Sequence, residues 1–476
     1  MAIGLNTAFN VGKKGLRAQL FALNVTGNNI ANVNTEGYSR RKVNLQTSPP
    51  LITTEGIFGT GVDIQGVRRI RDNLVDRQIR TSLKELGRQE IKERVLKQIE
   101  TIYNEPAEKG IRGLLSQFFD NFQELANDPE NVSTRYNVRE QARVLANAFN
   151  RIDDQLTILS RDIEFELERK VADVNDYAKR IADLNEKILA AESVGGSAND
   201  FRDERDRLLD KLAKDIDIVF SESSTGMVNV VAGGRSLVFG GDYTEFKLMT
   251  MEVEGELHSY IVGANDNVEF SISNGEIKGL LDARNDIIPR YRQYIDNLAY
   301  SLITEVNNIH IIGAGLKGDL PEVPYSNNFF KGTDAGDIAL DDAIEENVNN
   351  IAAAYRETTT DEQGRVVVTA NPGDNRIALE IAELKRRLVL QNGIQSIPDY
   401  LNSIIGNLGV ETQQAMGTGL NQKRLIEQFQ NIRDSTSGVS LDEEFVDLIR
   451  YQRGYQASAR FVKAIDEVFQ TLVNLV

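Results

Sequence analysis

GNNIANVNTEGYSRR, residues 27–41, is an unusual way to end a helix. Leu5, Phe9, Gly12, Leu16, Leu20, Leu23, Gly27 and Ile30 recur at steps of three or four, the spacing of one helical face from about residue 4 to 33. Its last turns are Asn-rich, although the Asn amide competes with the backbone for hydrogen bonds and weakens a helix interior. Gly37 is placed to stop the helix or the turn after it. One explanation of the run is local: Asn34 and Thr35 cap, and Tyr38 packs back.

The other end of the chain mirrors this stripe. Leu441, Phe445, Leu448, Gln452, Tyr455, Ala459, Val462, Ile465, Phe469, Leu472 and Val476 again step by three or four, and only Gln452 is polar. Ser440 followed by Glu443 reads as a capping box, with Asp442 and Glu444 favouring the same helix start. A lone amphipathic helix of this length is not stable in water. The two terminal helices are therefore expected to pair as a stalk. The stalk either finishes one core with the rest of the bundle or keeps apolar surface for neighbouring copies, and small residues on the first helix (Gly4, Ala8, Gly12, Gly15, Ala18, Ala22) would permit close approach by other helices.

Between the ends, residues 40–72 mix β-branched residues, Pro49–Pro50 and Gly, as in short strands and turns. Helix dominates from about 73 to 215, with an unbroken apolar series from Leu145 to Ile188 predicting a helix of about 55 residues, ~80 Å long. SVGGSAND turns the chain, and DFRDERDRLLDKLAKDI returns as a second helix. Residues 217–275 alternate like strands, helix resumes at Ile277, and residues 311–373 carry most of the loop signals. Further helix is expected at 375–391 and 398–434. The fold class is mainly α with a smaller β part, elongated and multi-domain. Residues 1–80 with 435–476 form the stalk and an extended β-rich segment. Residues 81–216 with 276–434 form a long helical bundle, and 217–275 an inserted small β domain.

Composition closes off several chemistries. There is no Cys and only two His, His258 and His310, so thiolate zinc sites and disulfides are impossible and a His-based metal cluster is not expected. The net charge of −17 argues against nucleic-acid binding. Residues 1–80 nevertheless carry eleven Lys/Arg against five Asp/Glu, or +6, leaving −23 for the rest. That basic segment fits an anionic partner or, more simply, faces other protein surfaces or solvent. No apolar run reaches the roughly 18 residues of a membrane span, and the start lacks the order of a signal peptide. A soluble chain without a cleavable signal is expected. GAGLKG at 313–318 matches a dinucleotide motif but is followed at once by Pro321 and Pro324, so it reads as a loop. No catalytic, cofactor-binding or metal residues are assigned, and the chain is expected not to be an enzyme.

NNIANVNTEGYSRR resembles the N-terminal signature of the bacterial flagellar axial proteins, the rod, hook and hook-associated proteins. Asn28, Asn29, Ile30, Ala31, Asn32, Thr35, Gly37, Tyr38 and Arg40 meet it. SGVSLDEEFVDLIRYQRGYQASARFVKAIDEVFQTLVNL is similar to the family's other end. RDERDRLLDKL, KGLLDARNDIIPRY and NPGDNRIALEIAEL are similar to members that join hook to filament, rather than to rod or hook subunits. The resemblance implies an extracellular structural protein, exported unfolded without a cleaved signal. Its paired terminal helices would line a tube, with the Asn-rich turns hydrogen-bonding laterally between subunits, and its bundle would pack outside. It implies as partners other copies of the chain, hook protein, the second junction protein (hook-associated protein 3), and an export chaperone on the C-terminal stripe Leu441–Leu472. A hook or distal rod subunit is the alternative within the family. A secreted acidic enzyme with a coiled-coil stalk is the alternative outside it, and would need a carboxylate pocket in 217–275.

Overall fold

The computed structural model describes residues 2–53, 56–103, 110–253, 256–316, 327–360 and 366–474. Helix α1 (Ala2–Ala31) leads into a β arm: β1 (Arg41–Thr47) pairs antiparallel with β4 (Val62–Arg69), and a shorter hairpin, β2 (Leu51–Thr53) with β3 (Gly56–Phe58), extends it. The arm folds back along α1. Lys14 Nζ donates to Ser48 Oγ at 2.9 Å and pairs with Asp63 at 2.9 Å.

Helices α2 (Asn73–Tyr103), α3 (Ile111–Asn127), α4 (Val132–Ser193) and α5 (Asn199–Asp215) build the body. The long apolar series predicts its central helix well, but α4 starts earlier and runs for 62 residues, ~93 Å at 1.5 Å per residue. The side chain of Asn131 caps it by accepting from the Ser133 N–H, and Gly195 at φ +81° makes the turn into α5. The stripe positions Leu145, Phe149, Ile152, Leu156, Ile163, Leu167, Val174, Ile181 and Ile188 are all buried.

Residues 218–263 form two small antiparallel units on the flank of α4. One is a four-stranded sheet of β5 (Ile218–Glu222), β6 (Val228–Ala232), β7 (Arg235–Phe239) and β8 (Asp242–Tyr243). The other is the hairpin β9 (Phe246–Val253) and β10 (Glu256–Gly263). A two-stranded hairpin is at best marginally stable alone, and helix asparagines fasten both units. Asn175 of α4 donates to the Phe246 carbonyl and accepts from the Phe246 N–H, at 2.9 and 2.7 Å. Asn185 donates to the carbonyls of Val228 and Gly240 and accepts from the Val228 N–H. The chain then re-enters the body as α6 (Glu276–Asp282), a π turn (Ala283–Ile287) and α7 (Ile288–His310). The extra residue of the π turn rotates the helix face so that Asn285 reaches both backbone groups of Ser259, at 2.8 Å each.

After α7 come three two-stranded pieces: Gly313–Ala314 with Ala354–Tyr355, Phe330–Lys331 with Ala339–Leu340, and Glu357–Thr360 with Val366–Thr369. Short α8 (Asp342–Glu346) lies among them. Gly313 and Ala314 thus sit in a strand, whereas the rest of the GAGLKG match from Lys317, with Pro321 and Pro324, falls outside the described residues. Phe329 and Phe330 join Phe118 and Phe122 of α3 in a buried aromatic cluster.

The helix expected at 375–391 stops early. α9 spans only Arg376–Glu383, and Leu388–Leu390 pairs with Gln395–Ser396. Gln391, Asn392 and Gly393 all have positive φ (50°, 60°, 81°), a conformation that closes a hairpin and cannot continue a right-handed helix. Helix α10 (Ile397–Ser437) packs along α2, and α11 (Leu441–Asn474) returns along α1.

Candidate assembly interface

The two terminal helices cross at glycine and alanine. A Cβ on Gly12 would lie 2.7 Å from Val462 Cγ2, one on Gly15 3.2 Å from Ser458 Oγ, and one on Gly454 2.9 Å from Gln19. These contacts place α1 and α11 antiparallel over most of their length. Ala18, Ala22, Thr26 and Asn29 continue the α1 seam and are all buried. The helix admitted by the small residues is therefore the chain's own α11, although Gly4 has no atom near its missing Cβ.

Asn29 lies at the end of that seam, 1% exposed. Its amide nitrogen donates to the Arg41 carbonyl at 2.9 Å and to Glu444 Oε2 at 3.0 Å. Its oxygen accepts from the Arg41 N–H at 3.1 Å and the Tyr38 hydroxyl at 2.9 Å. One side chain therefore ties α1, the start of β1 and the start of α11. It grips a strand residue by both backbone groups, as Asn175 and Asn285 do.

The other motif residues form the turn around it. Asn32 Nδ2 donates to Asn28 Oδ1, Thr35 Oγ1 donates to Asn32 Oδ1, and Gly37 turns at φ +80°. Ile30 is half-buried, Ala31 is exposed, and Asn34 is exposed. Arg41 stacks over the Tyr38 ring at 4.7 Å. Burial first, then nearby carboxylates against the lowering effect of Arg41, push the Tyr38 hydroxyl up to about 12, so it stays a donor at neutral pH.

Arg40 reaches α11 directly. It bonds Glu444 at 2.7 Å, pairs with Glu443, and lies 3.8 Å from Asp447, while its N–H donates to the Ser437 carbonyl at 2.9 Å. The capping box expected at Ser440 and Glu443 is diverted: the Glu443 carboxylate faces Arg40 across the stalk.

The basic excess of residues 1–80 has an internal destination. Arg41 pairs with Asp200 and Asp203, Arg69 with Asp203 and Asp206 at 2.8 Å each, and Arg80 with Asp210 at 2.7 Å. Arg71 grips Asp76 through two nitrogens, and Arg433 of α10 closes on Asp210 at 3.3 Å. Burial alone would raise the Asp206 carboxyl, but Arg71, Arg69 and Arg80 outweigh it and hold it below the usual range. The acidic side of this joint escaped the sequence reading. Its signal was the spacing of Asp200, Asp203, Asp206 and Asp210, three to four residues apart on one helix face of α5.

The C-terminal stripe is covered on one side only. Leu448, Tyr455, Ala459, Val462, Ile465 and Phe469 are half-buried against α1, while Leu441, Phe445, Gln452 and Leu472 are exposed. Among its described residues, α11 fully buries only Glu444; Val476 lies outside them. Val446, Ile449, Phe461 and Val468 on α11, with Leu20 and Phe21 on α1, add further uncovered apolar area. Among the described residues there is no group of three His, Cys, Asp or Glu side chains able to hold a metal, and no helix long and apolar enough to cross a membrane.

Three family models match separate parts of the chain. The family model for the flagellar hook-associated protein FlgK helical domain matches residues 96–324. The flagella basal body rod protein model matches residues 9–38, and the flagellar basal body rod FlgEFG protein C-terminal model matches residues 433–475. Flagellar hook-associated protein 1 of Bacillus subtilis is 29% identical, with 99% of this chain and 98% of that protein aligned. Its counterpart in Salmonella typhimurium is 24% identical over 99% of this chain and 100% of that protein. The solved structure of the flagellar hook junction protein FlgK from Burkholderia pseudomallei shares the fold, with a TM-score of 0.62 and 16% identity over 76% of this chain and all of that one. Matched at both ends by flagellar rod models and in its body by the FlgK helical domain, the chain is similar from end to end to flagellar hook-associated protein 1.

Proposed function

We propose that this chain is a structural subunit at the junction of flagellar hook and filament. It adds to the hook by packing its terminal helices against those of neighbouring copies. The observation that carries this reading is the one-sided stalk: pairing α1 with α11 leaves Leu20, Phe21, Val446, Ile449, Phe461 and Val468 uncovered. An exposed apolar face of this kind marks an interaction surface, and burying each large side chain contributes about 1.5–3 kcal/mol. The body, with its long α4, packs outside the tube so formed. Hook protein lies below, and hook-associated protein 3 builds above. Before assembly an export chaperone covers the Leu441–Leu472 stripe, and the chain leaves the cell without a cleaved signal.

Gene deletion tests this directly, scored by electron microscopy of the cells and flagellin in the medium. Bare hooks with flagellin lost to the medium are the expected result. Missing hooks would assign the chain to rod or hook instead, and normal filaments would remove it from the axial structure. Leu448→Asp is expected to leave the body folded and abolish incorporation into flagella; normal incorporation would refute packing through the stalk.

A further inference from the structure

A cleft of about 300 Å³ opens where the stalk meets the body, between the Gly37 turn, α2, α5 and the end of α10. Its lining carries five Arg and Lys; Arg71 pairs with Asp76, Arg207 with Glu204, Lys214 with Glu276 and Arg433 with Asp210, which leaves Lys211. Ile79 and Leu83 supply an apolar floor. Arg207 and Lys211 stand four residues apart on the α5 wall, and among the described residues Lys211 is exposed and has no ion-pair partner. Ser437 on the α10 wall is 5% exposed, and its buried Oγ has no hydrogen-bond partner. A buried hydroxyl left unpaired costs free energy unless something arrives to meet it.

The complementary shape lies on the same molecule. The first turn and a half of α11 presents Asp442, Phe445 and Val446 together, at i, i+3 and i+4 on one face. Phe445 is 50% and Val446 67% exposed, and among the described residues Asp442 is exposed and has no ion-pair partner. We infer that the start of α11 of one copy docks into this cleft of the next, with Asp442 against Lys211 and an apolar side chain on the Ile79–Leu83 floor. The proposal rests on the self-assembly reading and names its contact. Cleft and helix start are different patches of one surface. Their pairing is head to tail, so it repeats from copy to copy and does not close into a two-fold dimer. Charge complementarity sets the register, and the apolar contact slows dissociation.

The chain has no cysteine, so introduced thiols report without background. Full-length chains carrying Lys211→Cys and Asp442→Cys are co-produced in flagellated cells lacking the native gene. Isolated flagella are then oxidised, with each single variant alone as control. A disulfide-linked dimer is expected only from the mixture. Flagella that contain both variants but yield no mixed dimer would overturn the docking and leave the junction reading standing. Filaments that form with neither variant in them would overturn both. Charge reversal gives a second readout. Lys211→Glu or Asp442→Lys alone should lower the amount retained in flagella about tenfold, a change of ~1.4 kcal/mol. The two combined in one chain should recover most of it, and failure to recover counts against the pairing.

Discussion

Replacing Asn29 with Ala should undo the stalk while sparing the body. The amide makes four hydrogen bonds of 2.9–3.1 Å, to Tyr38, to both backbone groups of Arg41, and to Glu444. Water can reach some of these partners, but not Glu444, whose side chain is 2% exposed. Losing a donor to a sealed carboxylate costs about 1–3 kcal/mol, and the Arg41 and Tyr38 groups add roughly one more. The sum is about 3 kcal/mol, because Arg40 still holds the Glu444 charge and bonds sharing a partner do not add fully. Amide hydrogen exchange resolves where this loss falls. Protection in α11 should drop roughly 100-fold for ~3 kcal/mol, while amides of α4 keep wild-type rates. Asn29→Asp should be worse, since it sets a second carboxylate beside Glu444. Unchanged protection in α11, or an equal loss across α4, would refute the view that this residue joins the three segments.

Acid should loosen the far end of the body through His310. Its Nε2 accepts from the Ala352 N–H at 2.8 Å, so Nδ1 carries the proton and donates to the Asn327 carbonyl at 2.8 Å. Burial lowers its pKa to about 4. The unfolded chain takes up the proton near pH 6.5 and the folded one only near 4. Stability from this group is therefore complete above about pH 6.5 and declines by ~3 kcal/mol as pH falls through that window. Urea midpoints at pH 7 and 4 should differ less for His310→Gln than for the native chain. Gly12→Leu drives a side chain into Val462 and Phe461, and should cost about 1–3 kcal/mol; faster limited proteolysis within 441–474 is the readout. Asn285→Ala frees both backbone groups of Ser259, which should cost ~2 kcal/mol and speed exchange of the Ser259 amide, with the four-stranded sheet unaffected.

The long helices were legible because their apolar residues keep one period for many turns. The stripe of α4 and those of the two ends needed no tertiary information. The partner of each Asn was not legible, since a run such as residues 28–32 says that amides are present but not what they meet. Asn29 meets Glu444, 415 residues away, and Asn28 stays with its own turn. The same limit hid the joint: the basic excess of residues 1–80 was visible, but pairing it with α5 requires knowing that the β arm and α2 lie beside α5. Local turn chemistry misled at 375–391, where an apolar helical period runs into Asn392–Gly393 and the left-handed backbone of the turn decides. The capping box failed for a tertiary reason, because Arg40 offers Glu443 a stronger attraction than a backbone N–H does.

The antiparallel stalk also sets an order of events. Its two helices are the elements farthest apart in sequence, so α1 is among the last to find its partner. Until then its Ala18–Ala22 seam faces water. Contacts as distant in sequence as Gly12 with Val462 also close a loop of most of the chain. The body can fold while the ends wait, and a break at either terminus should strand the opposite one as well.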